Sequence, residues 1–143
     1  LQAKKPLKST SLMSFKEIAV GDHSFQGKEK PMRLKDLIEN PLISLGQGST
    51  TYEFYSKFFL ENDLVLSPDT EVETIDQVLP LIMNGLGIGF LPELFVRPVI
   101  EEGKVCQIPL KENIPEREIC LVENHTFPPS IAADMFKKML VLK

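Results

Sequence analysis

The stretch Gly46-Gln47-Gly48-Ser49-Thr50-Thr51 is the part of this sequence best equipped to hold a ligand. It follows a short apolar run and opens residues of helical period, so it reads as a strand-to-helix turn. At such a turn the unpaired N–H groups of the first helical residues, the positive end of the helix dipole and two or three hydroxyls converge, which suits an anionic group. Ser49 or Thr50 acting as the helix cap explains a hydroxyl there without any ligand, and the local residues alone favour the cap. The turn lacks the third glycine of Gly-x-Gly-x-x-Gly and the Gly-Lys-Ser/Thr ending of a nucleotide phosphate loop, which argues against a dinucleotide or ATP.

A second glycine cluster, Gly85-Leu86-Gly87-Ile88-Gly89, leaves a helix and enters a strand, the reverse of the dinucleotide-binding order. It reads as a helix stop followed by close packing, with Phe90 beyond it able to line a pocket. Neither His23 nor His125 has a histidine or cysteine partner at metal-ligand spacing. No serine sits in a Gly-x-Ser-x-Gly elbow, and Glu71, Glu73, Asp76, Glu101 and Glu102 read as solvated charges. Tyr52, Phe54, Tyr55, Phe58 and Phe59 offer rings that could stack on bases, yet their helical spacing favours a packed core. These residues predict no catalysis, no cofactor and no metal.

The elements that must position these residues alternate short apolar runs with helical stretches, the pattern of a parallel sheet covered by helices. Strands are expected at residues 15–20, 42–45, 71–73, 88–91, 105–108 and 118–122, the fourth of them a central parallel strand. A helix from Ser49 or Thr50 to about Asn62 should carry Tyr52, Tyr55, Phe58 and Phe59 on one face, with Glu53 and Lys57 paired on the other. A helix capped by Thr74 or Asp76 should bury Ile75, Val78, Leu79 and Ile82, and Gly85 should stop it in a left-handed conformation. A last helix after Pro128-Pro129-Ser130 should bury Ile131, Met135, Met139 and Leu140 while Lys137 and Lys138 face water. Of 143 residues, 43% are hydrophobic and 25% charged, an ordinary globular balance for one domain. Acidic residues outnumber basic ones by 20 to 16, so the chain lacks the positive field that DNA contact requires. No apolar stretch approaches the roughly 20 residues of a membrane span, and a cytoplasmic location with no membrane partner is expected. Cys106 and Cys120 fit no disulfide or metal pattern and read as buried, reduced thiols. Leu1 and Lys4-Lys5-Pro6 read like the middle of a longer chain.

The order of segments resembles the effector domain of LysR-type transcriptional regulators. Gly21-Asp22-His23-Ser24 is similar to the family's His-Pro turn, and Met32-Arg33-Leu34-Lys35-Asp36-Leu37 with Pro41-Leu42-Ile43 to its Leu-x-x-x-Pro-Leu-Ile segment. Gly48-Ser49-Thr50-Thr51 and Asn62-Asp63-Leu64 match the start and end of its helix. Asn84-Gly85-Leu86-Gly87-Ile88-Gly89-Phe90-Leu91-Pro92 is the most specific piece, followed by Ile100-Glu101-Glu102-Gly103-Lys104-Val105 and Ser130-Ile131-Ala132-Ala133-Asp134-Met135-Phe136. Together these cover nearly the whole chain.

The resemblance implies a periplasmic-binding-protein-like (type II) α/β lobe, a mixed, mostly parallel sheet flanked by helices, with the first lobe incomplete. Residues 1–19 would be a terminal strand segment of the first lobe, 20–121 the second lobe, and 122–143 a crossing segment and C-terminal helix returning to the first. It further implies a small-molecule effector, such as a carboxylate or amino acid, held in the cleft between lobes by Gln47, Gly48, Ser49, Thr50, Thr51, Glu73, Thr74 and Phe90. This raises the anion reading of the helix start, because a hydroxyl can cap through its oxygen while its proton points outward. Two departures bear on the ligand: Tyr52 stands where the family commonly has arginine or a polar residue, and Glu73 would repel an anion or select an amino group. Ser24 stands in place of the usual proline, a change expected to affect only a turn. DNA would be reached only through a helix-turn-helix domain outside this chain, which would act as a homodimer or homotetramer and not as an enzyme. The rival readings are a solute-binding receptor lobe of the same fold and an α/β enzyme using residues 49–51 for a phosphate.

Overall fold

The computed structural model describes residues 6–141; Lys4 and Lys5 of the N-terminal segment lie outside them. Two compact units are present, one formed by Lys16–Pro115 and the other by the flanking segments that end at Phe15 and begin at Glu116.

In the Lys16–Pro115 unit, β2 (Glu17–Gly21) is the strand around which the sheet is built. It pairs antiparallel with β5 (Gly89–Pro92) on one side and with β6 (Cys106–Ile108) on the other. β3 (Ile43–Leu45) and β4 (Thr70–Val72) form a parallel pair, and a parallel bridge between Leu42 and Ile88 joins that pair to β5. The order is therefore β4, β3, β5, β2, β6, with β2 the one strand running against the others. The mixed, mostly parallel sheet expected from the sequence is present, and the run at 88–91 is a central strand that is parallel to β3 but forms its ladder with antiparallel β2.

Alternation along these strands splits the core in two, because successive side chains point to opposite faces. Ala19, Leu42 and Ile88 face one cluster, with Leu34 and Leu37 of α1 (Leu34–Leu37) and Tyr55, Phe58 and Phe59 of α2 (Thr50–Glu61). Ile18, Val20, Ile43 and Leu91 face the other, with Val78 and Ile82 of α3 (Val78–Met83), Val96 of α4 (Glu93–Glu101) and Val105. Phe59 is fully buried, and burying such a ring contributes about 2 to 3 kcal/mol. The aromatic stripe is thus core, as its spacing predicts. Gly85 closes α3 with φ of +74°. Lys57 pairs with Glu61 at 3.9 Å and not with Glu53.

Helix α4 was not among the expected elements, because Pro98 lies inside it. The proline removes one intrahelical bond, but Val96 is fully buried, and Arg97 reaches Glu93 at 3.2 Å and Gln107 at 3.0 Å.

The other unit pairs β1 (Leu7–Phe15) antiparallel with β7 (Arg117–Asn124), with an irregularity between Ser11 and Met13, and adds α5 (Ile131–Val141). The expected strand at 15–20 is in fact two strands broken at Lys16, one in each unit. Lys137 of α5 pairs with Glu123 of β7 at 2.9 Å, and Lys138 with Asp134 at 3.1 Å. The expected burial of Ile131, Met135, Met139 and Leu140 on α5 is overturned: Ile131 is 83% exposed, Met135 and Met139 are exposed as well, and Leu140 is only half-buried. An eleven-residue helix beside a two-stranded ladder has too little facing surface to cover that stripe. Cys106 and Cys120 are free but only half-buried, which corrects the expectation of buried thiols; Cys120 Sγ lies 3.8 Å from a Glu118 carboxylate oxygen.

Candidate functional site

Parallel pairing of β3 and β4 is what assembles the site. Both strands end at the same edge of the sheet, so the loop after β3 (residues 46–49) and the residues after β4 (Glu73 and Thr74) emerge side by side. The Gly46 N–H donates to Val72 O at 3.2 Å, continuing the ladder one residue past the strand. Open α/β sheets hold ligands in this position, beyond the carboxyl ends of parallel strands.

The loop turns through Gly48, whose φ of +93° is a left-handed conformation that suits glycine. Ser49 then caps α2: its Oγ accepts from the Tyr52 N–H at 3.0 Å, and its carbonyl accepts from the Glu53 N–H at 3.2 Å. The same hydroxyl donates to Gly46 O at 3.0 Å. This corrects the picture of a Ser49 proton pointing outward, since that proton is donated to Gly46 O within the loop. Thr50 and Thr51, the first helical residues, stand ahead of the capped N–H groups; Thr50 is exposed and Thr51 half-buried. Gln47 is exposed, with its amide 3.5 Å from the Tyr52 hydroxyl, at the limit of a hydrogen bond.

After β4, the Gln77 side chain accepts from the backbone N–H groups of Glu73 and Thr74 at 3.0 and 3.1 Å, its half of a capping box that opens the turn leading into α3. Glu73 and Thr74 have exposed side chains. A carboxylate oxygen of Glu71 lies 3.5 Å from where a Gly46 Cβ would be. A negative charge beside the loop opposes a bare anion and attracts an amino group.

A cavity of about 20 Å³ lies beneath this edge, lined by Ile43, Ser44, Leu45, Thr51, Tyr55, Ile75, Val78 and Phe90. Of the residues expected to bind a ligand, Thr51 and Phe90 reach it, while Gln47, Gly48, Ser49, Thr50, Glu73 and Thr74 do not line it. Phe90 stacks on Tyr55, with ring centroids 4.5 Å apart and planes at 24°. Ser44, Tyr55 and Glu71 were not expected as site residues; the placement of Tyr55 four residues after Thr51, on the same helix face, is the signal that could have found it. A wider cavity of about 420 Å³ involves Phe25, Lys28, Ile100, Val105, Cys106 and Gln107. Among the described residues, no three His, Cys, Asp or Glu side chains cluster as metal ligands, and no helix is long and apolar enough to cross a membrane.

These features define an α/β lobe whose parallel strands β3 and β4 end at one edge of the sheet. Residues 6–141 match the LysR substrate binding domain, and the chain belongs to that family. It is similar to the HTH-type transcriptional regulator YwqM of Bacillus subtilis, 29% identical over 100 residues that cover 70% of this chain and 33% of that protein. The chain thus spans about a third of the length of this relative. In fold it is similar to the effector-binding domain of QuiR in complex with shikimate, with a TM-score of 0.82 and 17% identity over 99% of this chain and 68% of that one. It is similar as well to the regulatory domain of Synechocystis CcmR in complex with 2-PG, with a TM-score of 0.83 and 12% identity over 99% and 69% of the two chains.

Proposed function

We propose that this chain is the effector-sensing part of a cytoplasmic LysR-type transcriptional regulator, and that its effector is a small carboxylate or amino acid held where α2 begins. The observation that carries this reading is the convergence of the capped start of α2 with the residues after β4 at one sheet edge, set by the β3–β4 pairing. Thr50 and Thr51 face an anionic group with the helix dipole behind them, while Glu71 and Glu73 favour a ligand that also carries an amino group. Gln47, Gly48 and Ser49 shape the loop, Thr74 lies beside it, and Phe90 supplies an apolar floor. QuiR and CcmR, which share the fold, hold small molecules in their structures.

The mechanism is differential binding, with no bond made or broken: the ligand favours one arrangement of the regulator and so changes how DNA-binding domains outside this chain are presented. Association as a homodimer or homotetramer belongs to the same reading, and the exposed apolar residues of α5 support it. A thermal-shift screen of this chain and its Thr50→Ala variant against small carboxylates, amino acids and oxyanions tests the site. A ligand at a hundred times its dissociation constant should add about 2.7 kcal/mol. The shift should shrink in the variant, and a ligand that stabilises both proteins equally would place the pocket elsewhere.

A further inference from the structure

We propose that the outer edge of β6 binds an extended, apolar peptide segment, at the far side of the sheet from the start of α2 and independently of the effector reading. β6 ends the strand order, with β2 as its one strand neighbour. Main-chain groups of successive strand residues point to opposite edges. The Glu93 N–H donates to Lys16 O at 2.8 Å, so Lys16, Ile18 and Val20 bond toward β5, and Ala19 and Gly21 bond toward β6. Their partners Ile108 and Cys106 therefore turn their main-chain groups to β2, and Gln107 between them turns its N–H and C=O outward. Pro109 O lies on that same outer side and accepts from the Met32 N–H at 2.9 Å. Among the described residues, neither outward group of Gln107 has a main-chain partner.

The chain's own loop cannot fill that edge. Met32 bridges parallel to Leu110, and the next step of that ladder would set Lys30 opposite Ile108 and require an N–H from Pro109, which has none. Residues 25–29 stand off instead, and a cavity of about 420 Å³ lies between them and β6, within the range of about 300 to 1,000 Å³ of ligand sites. Phe25 packs on the α2 side of the sheet and Ile100 on the α4 side, yet both line the cavity, so it runs past the strand edge. Phe25, Ile100 and Pro109 are half-buried and supply apolar walls, while Gly27 and Gly103 are exposed and border open space. Lys28 and Glu29 bring opposite charges, which suits an occupant without net charge. Both Gln107 groups are satisfied by an acceptor and a donor spaced as in one extended residue, the pattern of strand addition. A second copy's β6 lies behind its own 25–29 loop, so two such edges do not reach each other, whereas a single peptide does.

The probes are acetyl-Thr-Leu-Thr-amide and its counterpart methylated at the leucine nitrogen, titrated into the isotope-labelled chain and followed by NMR. The unmethylated peptide should shift the amides of Cys106, Gln107 and Ile108 and bind about fivefold more tightly than the methylated one, the gain of one hydrogen bond. In the free chain the Gln107 amide should exchange with solvent faster than those of Cys106 and Ile108, and peptide at ten times its dissociation constant should slow it about tenfold. Gln107→Leu keeps the main-chain N–H and should bind as the wild type does. Gln107→Pro removes that N–H at an outward edge position, where proline is tolerated, and should weaken binding about fivefold. Should that variant not fold, the methylated peptide on the wild type decides the same point. Equal binding of the two peptides, no binding by either, or a Gln107 amide already as protected as its neighbours overturns the proposal, and each leaves the effector site standing. Shifts of β6 that depend on protein concentration without peptide overturn it too, by assigning the edge to a second copy.

Discussion

Replacing Gly87 by alanine tests the joint that holds the two halves of the sheet together. A methyl group built at Gly87 would lie 2.6 Å from Pro41 O and 3.1 Å from Pro41 C, both backbone atoms, and 3.3 Å from Ile43 Cγ1. The Pro41 carbonyl accepts from the Ile88 N–H at 2.8 Å, and Ile88 O accepts from the Ile43 N–H at 2.8 Å. Moving Pro41 aside to admit the methyl therefore strains both bonds of the bridge. Each is worth about 1 kcal/mol net, and more when a donor is left unpaired, as it would be here, since Ile88 and Ile43 are 1% and 2% exposed. A loss of about 2 to 4 kcal/mol follows, or a fall in melting temperature of about 8 to 15 °C for a chain of this size. Gly27→Ala is the control: its φ is +82° but nothing lies within 4 Å of the added Cβ, so only the left-handed penalty of about 1 kcal/mol applies. Urea unfolding followed by circular dichroism measures both. Equal losses in the two variants, or a loss below about 1 kcal/mol for Gly87→Ala, would refute the reasoning, because contact with Pro41 would then carry no cost.

Ser49→Ala removes the α2 cap and should cost about 1 kcal/mol in urea unfolding. Ser49→Asp restores an acceptor for the Tyr52 N–H, so most of the stability should return, while its charge at the helix start should abolish anion binding in the thermal-shift screen; recovery of both would separate the ligand from this helix end. Asp22 accepts from the hydroxyl and backbone N–H of Ser24, and this holds its carboxyl below the ordinary aspartate value. A depressed folded-state value stabilises above the unfolded value of about 3.9 and is lost as pH falls through the folded one. Wild type should thus lose stability relative to Asp22→Asn on acidification from about pH 5, and parallel urea midpoints for the two proteins across that range would contradict it.

Local signals were legible where one residue decides the backbone. Ser49 as a cap, Gly85 as a left-handed stop and Tyr55, Phe58 and Phe59 as a buried stripe all follow from short-range rules, and the structure has each of them. The same rules miss elements held by distant partners. The start of β1, Lys8-Ser9-Thr10-Ser11, has no apolar alternation to announce it, and it exists because residues 120–123 pair with it across the chain. Helix α4 tolerates Pro98 because Val96 is buried and Arg97 is tied to both Glu93 and Gln107, contacts no local window contains.

The candidate site shows the same division. Cap and ligand compete for one hydroxyl when residues 46–51 are read alone, and the sequence offers no way to apportion it. The structure apportions it through Gly48, whose left-handed turn brings Gly46 O within 3.0 Å of Ser49 Oγ and so commits that hydroxyl to the loop. Thr50 and Thr51 follow it as the first residues of the helix, and they carry the proposed recognition. The long aromatic stripe that the spacing assigns to the core is indeed buried at Tyr55, Phe58 and Phe59.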